Sequence, residues 1–199
     1  MALRQIRTYP DPVLEKNCRE VKEMTPRLQE LIDDMLETMY DQEGVGLAAP
    51  QVGVLRRIVV IDVSGMSDDQ EPDEVQAENA PDAQKKKAEP DPARLSPDGR
   101  VIEDWQGPLV MINPVILETA GEQKGSEGCL SVPGKAGEVT RPGYVKARAL
   151  DRDMQEFEVE GVGLLARAIC HELDHLDGVV YVTKVEGDLY SVAEEEENQ

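Results

Sequence analysis

His171-Glu172-Leu173-Asp174-His175 contains both histidines of a 199-residue chain, four positions apart, with a glutamate directly after the first. On an α-helix positions i and i+4 share a face, so the two imidazoles can reach a single metal ion. In H-E-x-x-H sites the glutamate lies beside a metal-bound water and can act as its general base. The flanking residues predict a helix from about Val162 to Asp177, with Gly178 as its C-terminal stop. At about 100° per residue, Leu164, Ala168, His171 and His175 fall on one narrow stripe, with Glu172 at its edge. Leu165, Ile169 and Leu176 lie further round, so the helix is apolar over much of its circumference and is expected to be buried. Two histidines could simply be satisfied core residues. Ligand spacing, together with the glutamate between them, favours the metal.

A third protein ligand is then required, with one position left open for water. The chain has no third histidine. Glu186 stands close behind the helix, and Glu194 sits in an acidic tail. Cys170 neighbours His171 but points about 100° away from it round the helix, and Cys18 lies in an undistinguished polar stretch. Cys129, framed by Gly128 and Leu130 in the glycine-bounded segment Gly125 to Gly134, is the best thiolate candidate. It would give a Cys-His-His site, softer than an all-histidine one.

Bulk properties fit a reducing, cytoplasmic setting. The formal net charge of −20 argues against a nucleic-acid or anionic-membrane surface. No apolar run approaches the roughly 20 residues of a membrane span, and MALRQIRTYPDPVL lacks the apolar core of a secretory signal. Three cysteines are too few and too odd a set for a disulfide framework. A reducing compartment would keep a thiol free for metal.

Read from the N-terminus, Thr25-Pro26 predicts a helix start, and Leu28, Leu31, Ile32, Met35, Leu36 and Met39 form its apolar stripe, with Gly44 as the stop. Gly44-Val45-Gly46-Leu47-Ala48-Ala49-Pro50-Gln51 is too rich in glycine and alanine for a strand core and reads as a tight connection. Arg57 to Val63 predicts a strand. From about 64 to 105 acidic residues outnumber basic ones, prolines abound, and few large apolars occur, so a solvated, mobile insertion is expected. Leu109 to Asn113 resumes strand character, and Gly125 to Gly134 reads as a loop or short strand. Val145 to Leu150 and Glu156 to Glu160 predict a hairpin turning at Asp151-Arg152-Asp153. An acidic tail occupies 191–199.

Gly44 to Gln51, Glu127-Gly128-Cys129-Leu130-Ser131 and His171 to His175 resemble, in order, the three signature motifs of the peptide deformylase family. The resemblance runs from the N-terminal helix to about Thr183. It implies an α+β fold, with mixed and antiparallel β-sheets around a central metal-binding helix and an N-terminal helix, in one catalytic domain over residues 1–190. It also implies a reaction: hydrolytic removal of formyl from the N-terminal methionine of nascent N-formyl-methionyl polypeptides.

By the same resemblance Cys129, His171 and His175 are metal ligands, and Glu172 moves the proton from water to the departing amine. Gln51 and the Leu130 amide hold the oxyanion. Gly46 admits the substrate backbone as an added strand, while Val45, Leu164 and Ala168 wall the methionine pocket. Fe(II) is the expected physiological ion, with Zn(II), Ni(II) or Co(II) as replacements in purified protein. Apart from the resemblance, Arg141 and Asp174 are candidates for an ion pair that orients the histidine helix, the alternative being that Arg141 is a surface residue.

The sequence departs from the family in three places. Cys170 stands where glutamine is common and is expected to be structural. The insertion is longer than the family's usual connection. No basic C-terminal helix follows Tyr190, so any ribosome association would use another route. Two further readings compete: a general H-E-x-x-H peptidase with an acidic third ligand, and a catalytically dead peptide-binding module. The pairing of Glu172 with Gln51 speaks against the module, since binding alone needs neither a base nor an oxyanion donor.

Overall fold

Strand Ile58–Ile61 (β2) organises the molecule, because all four of its side chains are buried and they alternate between two faces. Ile58 and Val60 pack into one apolar cluster, Val59 and Ile61 into another. A strand covered on both faces needs a layer on each. The computed structural model, which describes residues 2–64, 100–101 and 108–192, supplies a helix for each face.

The first is α1, Pro26–Asp41. Thr25 Oγ1 accepts from the Leu28 amide at 3.3 Å, and proline occupies the first helical position, as the sequence predicts. Leu31, Ile32, Met35 and Met39 are buried against Leu47, Ile58, Val60, Val110 and Ile112, while Leu28 and Leu36 are only half-buried. The second is α2, Gly163–Leu176, which lays Leu165, Ala166, Ile169 and Leu176 on the opposite face.

The remaining strands are β1 Gly46–Ala48, β3 Arg100–Val101, β4 Leu109–Ala120, β5 Gln123–Cys129, β6 Val132–Arg141, β7 Tyr144–Leu150, β8 Glu156–Val162 and β9 Tyr190–Ser191. Among the described residues they form two antiparallel sheets, ordered β1-β2-β4-β7-β8-β3 and β5-β6-β9. α2 packs its apolar residues on the larger sheet and reaches the smaller through polar side chains, so the α+β expectation with a central helix holds. No helix among the described residues is long and apolar enough to cross a membrane.

Two readings of the sequence are corrected. β4 does not stop near Asn113 but runs through Pro114 to Ala120. The proline falls where the register with β7 shifts, Asn113 has φ +50°, and the Asn113 side chain bonds both the amide and the carbonyl of Val21 at 2.8 Å. A bulge at that point needs no N–H from proline. Gly46–Ala48, expected as plain connection, is a short strand paired to β2 and followed by a 3-10 turn at Ala49–Val52. Gly125 to Gly134, expected as a loop or short strand, lies at the heart of a hairpin between β5 and β6, so the strand alternative holds. The hairpin predicted at Asp151 to Asp153 is present between β7 and β8. Apart from Ser64, Arg100 and Val101, the expected insertion lies outside the described residues, as does the tail from residue 193.

Candidate metal centre

β5 alternates, so Gln123, Gly125, Glu127 and Cys129 share its inward face while the residues between them are exposed. The strand ends at Cys129, where the register with β6 breaks and the chain turns through Leu130 and Ser131. Opposite it, α2 presents His171 and His175 one turn apart, ring centroids 5.0 Å from each other. One ligand atom from each of Cys129, His171 and His175 lies within 4.8 Å of the other two, the one such cluster among the described residues. Cys129 Sγ is 3.3 Å from His175 Nε2.

Glu127 fixes the first histidine. Its Oε2 lies 3.0 Å from His171 Nδ1, which therefore donates and turns Nε2 toward the cluster. Tyr181 stacks on the other side of that ring at 5.9 Å. The Glu127 carboxylate is buried, but it accepts from Arg141 Nε at 2.8 Å, Arg141 Nη2 at 2.9 Å and Arg167 Nη1 at 2.8 Å. Burial would raise its pKa; the hydrogen bonds and charges of Arg141 and His171 more than reverse this and hold it well below the usual carboxylate range. Arg141 also donates to Asp174 at 2.6 Å, the candidate pair from the sequence, and Lys184 joins Asp174 at 2.7 Å. Burial by itself would lower the His171 pKa, but hydrogen bonds to Cys129 and Glu127 push it up to about 10. His175 is held well below its usual value by burial and by its neighbour His171.

Glu172 is buried, and burial pushes its pKa up to about 7. It lies against Gly46 so closely that a Cβ there would overlap Glu172 Oε1. The glycine thus makes room for the carboxylate, a reason the sequence alone did not suggest. Gln51 is oriented by its own loop: Oε1 accepts from the Ala48 amide at 2.7 Å, which sends Nε2 toward Ser131 Oγ at 3.1 Å and Cys129 Sγ at 3.4 Å. Leu130 is half-buried in the turn after Cys129 and in reach of Gly44. Val45, Leu164 and Ala168 gather in one apolar cluster on the α2 side.

The rejected ligands stand elsewhere. Cys18 and Cys170 are buried, and burial pushes both thiols up to about 11. Glu186 is half-exposed and pairs with Lys124 at 3.1 Å, so it supplies no acidic third ligand; Glu194 lies outside the described residues. Sequence reasoning missed Glu127 as the hub and Arg167 altogether. The signals were there: Glu127 precedes Cys129 by two on a strand, and Arg167 precedes His171 by four on a helix.

The donor set fits a divalent transition metal. One sulfur and two imidazole nitrogens converge, as in sites that keep a fourth position open. Among the described residues, two buried side-chain atoms, Glu172 Oε2 and His175 Nδ1, have no hydrogen-bond partner. An enclosed carboxylate oxygen left unpaired on the residue next to His171 is placed to meet a polar guest rather than another side chain.

A family described as polypeptide deformylase matches residues 3–188. A peptide deformylase of Agathobacter rectalis is 55% identical over 196 residues, covering 98% of both chains. One of Lachnoclostridium phytofermentans is 49% identical, covering 100% of this chain and 99% of that one. Among solved structures, a peptide deformylase from Legionella pneumophila superposes with TM-score 0.71 at 37% identity, over 93% of this chain and 87% of the other. One from Synechococcus elongatus, in complex with actinonin, gives 0.70 at 32% identity, over 92% and 79%.

Proposed function

The chain belongs to the polypeptide deformylase family, and from that membership we propose which of its residues perform the family's reaction. It is a hydrolase that removes the N-formyl group from the N-terminal methionine of newly made polypeptides, releasing formate. Residues 1–190 act as one catalytic domain in this reading. Cys129, His171 and His175 hold one divalent ion. Fe(II) is the physiological choice, and Zn(II), Ni(II) or Co(II) are alternatives in purified protein. When bound, such an ion would supply Lewis acidity, of the kind that polarises a carbonyl and activates water.

The protein's own groups do the rest. Glu172 accepts the proton of the attacking water and delivers it to the departing amine nitrogen; its unpaired Oε2 is the support for that role. Gln51 Nε2 and the Leu130 amide donate to the oxygen on which charge develops. The Gln51 amide is already oriented by Ala48, so little reorganisation is needed at the moment of reaction. β1 ends the strand order of its sheet and pairs only with β2 among the described residues, so its outer edge can take an extended substrate beside Gly46. Val45, Leu164 and Ala168 receive the methionine side chain. The substrate's origin points to the cytoplasm.

The convergence of Cys129, His171 and His175, with an orphaned oxygen on Glu172 next in sequence to His171, carries this reading. The test is formate release from a formyl-methionyl peptide by protein loaded with iron under anaerobic conditions. Cys129→Ala is expected to lose both metal and activity. Metal retained in that variant would sink the ligand assignment.

A further inference from the structure

We infer that Arg167 is a positioning residue for the metal ligands, tying the helix that carries His171 and His175 to the strand that carries Cys129. The inference rests on the ligand assignment above. The three donors come from two elements, so their mutual geometry depends on how α2 sits against β5. Buried guanidiniums span that junction: Arg141 bridges Glu127 on β5 to Asp174 on α2, and Arg167 reaches across from α2 itself. Arg167 Nη1 donates to Glu127 Oε1 at 2.8 Å, to the Val139 carbonyl at 3.0 Å and to the Gly125 carbonyl at 3.3 Å, while Nη2 reaches the Gln123 carbonyl at 3.3 Å. It therefore grips β5 and β6 of the smaller sheet from a seat on α2.

Charge balance does not explain it. Arg141 already meets Glu127 with two parallel hydrogen bonds, the geometry that best satisfies a carboxylate. A second buried arginine is costly unless its hydrogen bonds are well used. What Arg167 adds is direction. It stands one helical turn before His171, and the two address opposite oxygens of one carboxylate, Arg167 on Oε1 and His171 on Oε2. Glu127 cannot rotate away from His171 without breaking the Arg167 contact.

Gly125 completes the device. It lies on the inward face of β5, two residues before Glu127, and a Cβ there would stand 3.1 Å from Arg167 Nη2. Its missing side chain leaves the space in which the guanidinium rests. Gly125 itself touches none of the ligands named above, so filling that space moves Arg167 without altering any donor.

The test uses the full chain loaded with Co(II) or Zn(II), in Arg167→Met, Gly125→Val and the double variant. Three quantities are read: the rate at which excess chelator strips the metal, the visible spectrum of the Co(II) form, and the Tm of metal-free protein. Arg167→Met is expected to speed metal loss by about tenfold or more, within the 10–100-fold range that groups orienting a ligand typically control, and to shift the Co(II) bands. Gly125→Val is expected to do the same by displacing Arg167. In the double variant it adds little, because the seat is already vacant. Should Arg167→Met not fold, Gly125→Val carries the test alone.

Unchanged metal loss and an unchanged Co(II) spectrum would overturn the inference even if Tm fell, since that is what a merely structural arginine gives. Full additivity in the double variant would also overturn it. Cys129→Ala separates the two levels. Metal held normally by that variant defeats the ligand assignment and the inference with it. Metal lost there but untouched by both other variants defeats only the role of Arg167.

Discussion

The Glu172 carboxyl is enclosed beside two histidines and pressed on the Cα of Gly46, with one oxygen unpaired. Burial pushes its pKa up to about 7 in the metal-free site. A dication among the neighbouring ligands acts the other way, because positive charge favours the carboxylate. The acid limb of kcat/KM in the loaded enzyme is therefore expected to have its midpoint below 7, with activity falling as the acceptor becomes protonated. Glu172→Gln keeps the shape and removes the acceptor, so kcat should drop by about 10²–10⁴-fold with metal content unchanged. An acid limb that persists at the same midpoint in that variant would place the proton elsewhere. Cys18 and Cys170 give a second check at this scale. Both are buried thiols pushed up to about 11, so thiolate is scarce near neutrality. Native protein treated with iodoacetamide at neutral pH should carry no label at either residue by mass spectrometry, and denatured protein should carry it at both.

At the scale of elements, α2 depends on how it ends. Gly178 follows the helix with φ +74°, and a Cβ there would meet the Glu15 backbone at 2.7 Å. The Leu176 carbonyl at the same end accepts from the Cys18 amide at 2.8 Å, so the N-terminal segment is laid directly on the helix terminus. Gly178→Ala incurs the left-handed penalty of about 1–2 kcal/mol and the clash besides. Its Tm should fall by several degrees, at about 2–4 °C per kcal/mol for a chain of this size. This stop was legible in the sequence, as were the Thr25-Pro26 start of α1 and the apolar stripe of each helix, because helical period and caps are local signals. The β5–β6 hairpin was not. Its inward face carries glycine, glutamate and cysteine, so its period of two is written in function rather than hydrophobicity. β4 was cut short at Pro114 because the bulge that accommodates the proline is fixed by Asn113 and Val21, far apart in sequence. The same division holds for the site. His171, Glu172 and His175 declare themselves by spacing on one helix. Glu127 with its two arginines joins a helix to two strands, and only the fold reveals that.

The molecule as a whole is strongly acidic, with a formal net charge of −20. Opposing this are surface ion pairs such as Lys146 with Glu158 at 2.7 Å and Lys124 with Glu186 at 3.1 Å. Exposed pairs of that kind contribute about 0–1 kcal/mol each and weaken with salt. The buried Glu127–Arg141–Arg167 group is shielded from mobile ions, so salt leaves it nearly unchanged. Repulsion among excess carboxylates, by contrast, acts over the whole surface and opposes compaction. Screening shortens its reach from about 10 Å at 0.1 M to about 3 Å at 1 M. Sodium chloride should therefore raise the Tm of metal-loaded protein, because relief of general repulsion outweighs the loss of a few weak pairs. Chloride is the proper salt, since sulfate would also strengthen apolar burial and confound the cause. Acid acts in the opposite direction through Glu127. Its pKa is depressed in the folded state, so its stabilising contribution is complete above the unfolded value of 4.5 and is lost as pH falls through and below it. Thermal melts that show Tm rising with chloride near neutral pH, then falling with acid below about 4.5, bear out both. A Tm that falls with added chloride at neutral pH would mean that surface pairing, not repulsion, governs this acidic chain.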